Sequence, residues 1–266
     1  MDKITAKDII NRKQKEHRKI TALTAYDFPF ARLVDQAGMD IVLVGDSVGM
    51  VCLGYESTVS VVMADMIHHA KAARRAVKRA LVVVDMPFGS YEDAGSAVMN
   101  AKRLVQEGGA EAVKPEGGNV IASQVKALIG EGINVMSHLG MTPQSVSKLG
   151  GYKVQGRTKK EADRIFDEAL RLERLGVFSI VLECVPYSLA KRITEALKIP
   201  TLGIGAGPYT DGQVLVLHDL LGFESSVHPR FVRRYARLDD AISSALERYR
   251  NDVLAGKFPT LKESFK

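Results

Sequence analysis

An alternation limits most what this chain can become. Short apolar runs rich in branched residues are each followed by a segment with helical spacing, about eight times along the 266 residues, and no linker interrupts the series. The runs are Ile20 to Tyr26, Ile41 to Val44, Leu81 to Val84, the stretch carrying Lys114 and Glu116, Ile133 to His138, the run ending at Glu183, Thr201 to Ile204, and Val214 to Leu217. Between them stand helix signals: Asp27 before Phe30, Leu33, Val34 and Ala37 with Gly38 behind, Thr158 and Glu161 spaced as a capping box, and a last helix from Asp239 to Ala255. This is the pattern of an α/β chain folded as a (β/α)8 TIM barrel, one domain over 1–266, with a helix begun at Thr5 closing its bottom. A doubly wound open sheet is the alternative, but it wants G-x-G-x-x-G after its first strand. The glycine-dense stretch Gly203, Gly205 and Gly207 comes too late, opens no clear helix and leads almost directly into Val214, so the seventh helix is expected to be missing or very short.

The apolar runs share an ending. Asp46, Asp85 and Glu183 each close one, and in Val113-Lys114-Pro115-Glu116 a cation and a carboxylate two residues apart share a face of the strand. Any one of these acids alone reads as a helix N-cap, and a lone Lys-Pro-Glu as a surface ion pair. In a barrel the C-terminal strand ends converge, so all of them, with Lys114 and His138, are expected to ring one cavity. Carboxylates crowded in a low-dielectric mouth repel unless something neutralises them. Oxygen donors without clustered Cys or His point to Mg²⁺, and Asp46, Asp85 and Glu116, from successive strands, form the expected metal set, some through water. Glu183 arrives from across the barrel and is placed to act as a base toward a chelated α-keto acid. Lys114 would hold that acid's carboxylate or its enolate, Ser47 offers a hydroxyl or N–H to the same anion, and His138 is expected as a substrate contact.

Composition narrows the partners. A net charge of +6 and a pI near 9.2 invite an anionic ligand, yet there is no Trp and only 6% aromatic content, so nucleic acid is not expected and small anions are. Cys52 and Cys184 have no metal or disulfide spacing and read as buried free thiols. No run approaches the ~18 apolar residues of a membrane span, and no secretory h-region follows Met1, so a cytoplasmic protein that avoids membranes is expected. The glycine-spotted stretch from Gly140 to Arg157 is long enough to serve as a lid, His68 and His69 read as exposed, and Tyr26 as core.

The motifs themselves resemble one family. Val44-Gly45-Asp46-Ser47, Val84-Asp85-Met86-Pro87-Phe88-Gly89, Val113-Lys114-Pro115-Glu116-Gly117-Gly118, His138-Leu139-Gly140-Met141-Thr142-Pro143-Gln144, Gly150-Gly151-Tyr152-Lys153 and Leu182-Glu183-Cys184-Val185-Pro186 are similar, in order, to those of the ketopantoate hydroxymethyltransferases. The resemblance runs from about residue 3 to 255. It implies a homodecameric enzyme of pantothenate biosynthesis that transfers the one-carbon unit of 5,10-methylenetetrahydrofolate to 3-methyl-2-oxobutanoate, giving 2-dehydropantoate. It also implies Mg²⁺ at Asp46, Asp85 and Glu116, keto-acid contacts from Asp46, Ser47, Asp85 and Lys114, and proton acceptance by Glu183. The rival reading is a Mg²⁺-dependent carbon–carbon lyase of the phosphoenolpyruvate mutase and isocitrate lyase type, which wants a reactive cysteine in a mobile loop; Gly140 to Arg157 contains none.

Overall fold

Strands that are apolar on both faces must be covered on both, and the chain does this by closing its sheet. The computed structural model describes residues 2–146, 150–151, 153–223 and 229–266. In order these form α1 (Ala6–Gln14), β1 (Ile20–Thr24), α2 (Phe28–Gln36), β2 (Ile41–Val44), α3 (Val48–Val51), α4 (Met63–Ala76), β3 (Leu81–Asp85), α5 (Ala94–Gln106) and β4 (Ala112–Lys114). There follow α6 (Ala122–Gly130), β5 (Met136–Gly140), α7 (Lys159–Leu175), β6 (Ser179–Glu183), α8 (Tyr187–Ala196), β7 (Thr201–Ile204), β8 (Gly212–Leu215), α9 (Leu217–Leu221) and α10 (Leu238–Leu254). All eight strands are parallel in the order β4-β3-β2-β1-β8-β7-β6-β5. The seam between β4 and β5 is held by two parallel bridges, Val113 with Val135 and Glu116 with His138. Pro115 has no N–H to add to that ladder, which is why β4 stops at Lys114 and the seam is thin. The expected (β/α)8 barrel is the fold found.

Contacts divide the chain into two compact units, Met1–Val216 and Leu217–Lys266. The first contains the whole barrel. Its floor is built by α1, which the reciprocal Thr5 and Asp8 capping box starts. Ile4, Ala6 and Ile9 join one apolar cluster with Ile20, Ile41, Leu81 and Met136, while Lys13 reaches Asp211, just before β8, at 2.9 Å. The helix thus closes the N-terminal end of the strands, as expected. The link from β7 to β8 carries no helix: Gly212 lies so close to Ile20 that a Cβ there would stand 2.4 Å from its carbonyl oxygen. In the second unit α10 buries none of its residues and Tyr249 packs edge-on against Phe258.

Three local expectations need correction. The fifth strand begins at Met136 rather than Ile133, because the Ile133 N–H turns back to Leu128 to finish α6. Cys52 is exposed, on the irregular connection after α3, and Cys184 is half-buried, so neither is a core thiol. His69 is not a bare surface residue; its Nδ1 lies 2.8 Å from the Tyr26 carbonyl oxygen. Of the stretch expected as a lid, residues 147–149 and 152 lie outside the described residues.

Candidate active site

Strand register brings the acidic ends together. Asp85 of β3 is the register partner of Lys114 of β4, so their side chains leave the sheet on the same face and meet with Lys114 Nζ 2.9 Å from Asp85 Oδ1. One bridge further round, Glu116 stands beside His138, and His138 Nδ1 is 3.3 Å from Glu116 Oε1. β5 then pairs His138 with Val181 and Gly140 with Glu183, which aims Glu183 back over the histidine: His138 Nε2 is 3.3 Å from Glu183 Oε2. Gly45 supplies the remaining link. A Cβ at Gly45 would press to 2.8 Å on Ser47 Oγ, whereas the bare backbone lets the Asp46 N–H donate to Asp85 Oδ2 at 3.1 Å.

The sequence-derived candidates therefore meet at one end of the barrel, and the surface ion-pair alternative for Lys114 and Glu116 falls, since only 3% and 6% of each is exposed. Nor is Asp46 a helix cap; Ser47 occupies that position before α3 and makes no capping bond. Ser47 instead shares a 2.8 Å hydrogen bond with the Tyr26 hydroxyl, so Tyr26 is more than core. Two further residues belong to the cluster. Gln144 donates from Nε2 to Asp46 Oδ2 and to the Met86 carbonyl, both at 2.8 Å, and from its backbone N–H to Glu116 Oε2 at 3.0 Å. Tyr91 donates its hydroxyl to Gln144 Oε1 and accepts from the Glu116 N–H at 3.2 Å. Gln144 lies within the motif that begins at His138 and Tyr91 two residues beyond the one that ends at Gly89, but neutral side chains in loops give no charge signal.

Burial and crowding set the protonation. Burial first, then the neighbouring Asp85 and Glu116, push the Asp46 carboxyl well above its ordinary range; burial also raises Asp85 against the pull of Lys114. Burial works against an ionised Glu116 too, but the His138 contact, Lys114 and the Gln144 N–H outweigh it and hold Glu116 low. Burial opposes the Lys114 charge, yet Asp85, Glu116 and Asp46 lift that ammonium above its usual value. His138 is pressed down by burial and by Lys114, and raised overall to about 9 by Glu116 and Glu183.

The donor set suits a hard divalent cation. Asp46, Asp85, Glu116 and Glu183 face Lys114 and His138, so with all ionised two negative charges remain, which one such ion would balance. Among the described residues, however, no group of three His, Cys, Asp or Glu side chains stands in ligating positions. Glu116 is taken up by His138 and Gln144 in this conformation, while Asp46 Oδ1 receives no hydrogen bond from the described residues. Asp46 and Asp85, linked through the Asp46 N–H, fit an ion that keeps most of its ligands as water.

The sequence profile of the ketopantoate hydroxymethyltransferases matches residues 3–261. The chain is 55% identical to the 3-methyl-2-oxobutanoate hydroxymethyltransferase of Thermoanaerobacter sp. (strain X514) over 253 residues, 95% of this chain and 92% of that one. It is 54% identical to the protein of that name from Acetivibrio thermocellus (strain ATCC 27405) over 266 residues, 100% of this chain and 94% of that protein. Among solved structures it resembles a phosphonopyruvate hydrolase complexed with oxalate and Mg²⁺, with TM-score 0.64 and 12% identity over 98% of this chain and 93% of that one. It also resembles a 2,3-dimethylmalate lyase, with TM-score 0.61 and 14% identity over 98% and 91%. At such identities the two structures speak for the fold alone.

Proposed function

From the premise that the chain belongs to the ketopantoate hydroxymethyltransferase family, we propose how its barrel mouth performs the transfer. The reaction joins C3 of 3-methyl-2-oxobutanoate to the one-carbon unit of 5,10-methylenetetrahydrofolate and, with water, yields 2-dehydropantoate and tetrahydrofolate. Asp46, Asp85 and Glu116 would hold Mg²⁺, which would supply Lewis-acid polarisation of the keto group. Among the chain's own groups, the Lys114 ammonium binds the anionic keto acid and balances the charge that develops on deprotonation. Glu183 takes the proton from C3. At 15% side-chain exposure it is the most open of the clustered carboxylates, which suits a group that must reach substrate. His138, wedged between Glu116 and Glu183, holds both carboxylates in place. Ser47, oriented by Tyr26, faces the same anion. A homodecamer working in the cytoplasm completes this reading; no helix among the described residues is long and apolar enough to cross a membrane.

The observation that carries the reading is the Asp85, Lys114, His138, Glu183 series, in which each side chain meets the next within 3.4 Å at the C-terminal strand ends. Purified protein given both substrates and Mg²⁺ should form 2-dehydropantoate, read by mass spectrometry, and lose that activity on chelation. Cleavage of a carbon–carbon bond in place of its formation would overturn the proposal in favour of the lyase alternative.

A further inference from the structure

Gln144 is 98 residues from Asp46 in sequence and 6% exposed, and every polar atom of its amide is engaged. Nε2 faces two acceptors, Asp46 Oδ2 and the Met86 carbonyl, and Oε1 faces the Tyr91 hydroxyl. The opposite rotamer would set Oε1 against a carboxylate and a carbonyl, both acceptors, so the amide has one tolerable orientation. Its backbone N–H meanwhile holds Glu116 Oε2. A single residue on the turn after β5 thus grips acids that lie two residues beyond β2 and two beyond β4, and Tyr91 fastens the far side of the amide while accepting from the Glu116 N–H.

We propose that Gln144, secured by Tyr91, is the positioning residue that orients Asp46 and Glu116 for the cation and keto acid. The inference rests on the metal reading above. Because Gln144 occupies Oδ2 alone, it selects Oδ1 as the oxygen Asp46 presents. A purely structural role for Gln144 predicts something different: loss of thermal stability with unchanged ion binding.

The test is Mn²⁺ binding, measured by electron paramagnetic resonance on metal-stripped full-length protein, with Gln144→Met and Tyr91→Phe beside the parent. Gln144→Met keeps the side chain's length without its donors, and the expected result is Mn²⁺ binding weakened by about 10-fold or more. Tyr91→Phe should weaken it in the same direction by less, and decides the matter alone should Gln144→Met not fold. Parent-like affinity in folded variants overturns the proposal while leaving the metal reading intact. A parent that binds no Mn²⁺ overturns both.

Discussion

Lys114 and Asp85 are register neighbours on adjacent strands, and their side chains form a 2.9 Å ion pair with 4% of each exposed. A buried pair of this kind is weak as a source of stability, because desolvation offsets most of its attraction, but it fixes an ammonium where an anionic substrate must dock. The adjoining Asp46 and Glu116 join Asp85 in holding that ammonium charged against the cost of its burial.

Replacing Lys114 with Met should therefore damage turnover more than folding. With the carboxylates free to take up protons, the variant is expected to fold, while steady-state turnover falls by roughly 10²-fold or more. Keto-acid binding by calorimetry should weaken in parallel. Parent-like kinetics would remove Lys114 from the site.

Gly140 offers a test that leaves every charged group in place. Its backbone is left-handed at φ 95°, and a Cβ would lie 2.2 Å from the Glu183 carbonyl oxygen and 2.8 Å from Val185. Gly140→Ala must push β5 and β6 apart at the position where the Met141 N–H holds that same oxygen. Displacing Glu183 by a fraction of an ångström to an ångström should lower the catalytic rate by up to about 10²-fold. A structure of the variant with Glu183 unmoved, or full activity, would contradict this.

Asp35 governs acid stability away from the mouth. Its carboxylate accepts the N–H groups of Lys78, Arg79 and Ala80 at 2.7 to 3.2 Å, and although burial opposes ionisation, these three bonds hold its pKa below the ordinary 3.8. A depressed carboxyl contributes stability that is fully present above its unfolded value and is lost as pH falls through the folded one. Asp35→Asn should thus cost about 1–3 kcal/mol at neutral pH, and the difference from the parent should shrink below pH 3.8. Urea unfolding across that window checks both parts; a constant difference at all pH values would disprove the assignment.

How far the sequence disclosed this site depends on the kind of residue. Asp46, Asp85, Glu116 and Glu183 were legible because each acid closes an apolar run, and strand ends in a barrel converge. Which side chains would touch was not legible, for Lys114 meets Asp85, and Glu116 meets His138, only through interstrand register. Gln144 and Tyr91 stayed hidden for another reason: a loop glutamine or tyrosine carries no periodicity, and its partners are chosen by tertiary approach. The cysteines misled because free thiols are usually buried, whereas Cys52 lies on an irregular connection and Cys184 turns left-handed at φ 46° directly after Glu183.

Proton removal from C3 is the step on which the rest stands, and it can be watched apart from one-carbon transfer. The measurement is exchange of the C3 hydrogen of 3-methyl-2-oxobutanoate with deuterated water, with Mg²⁺ and without folate, followed by proton NMR for the parent and Glu183→Gln. Rapid exchange in the parent, with loss of exchange but retained keto-acid binding in Glu183→Gln, is the result expected. Undiminished exchange in Glu183→Gln would contradict it.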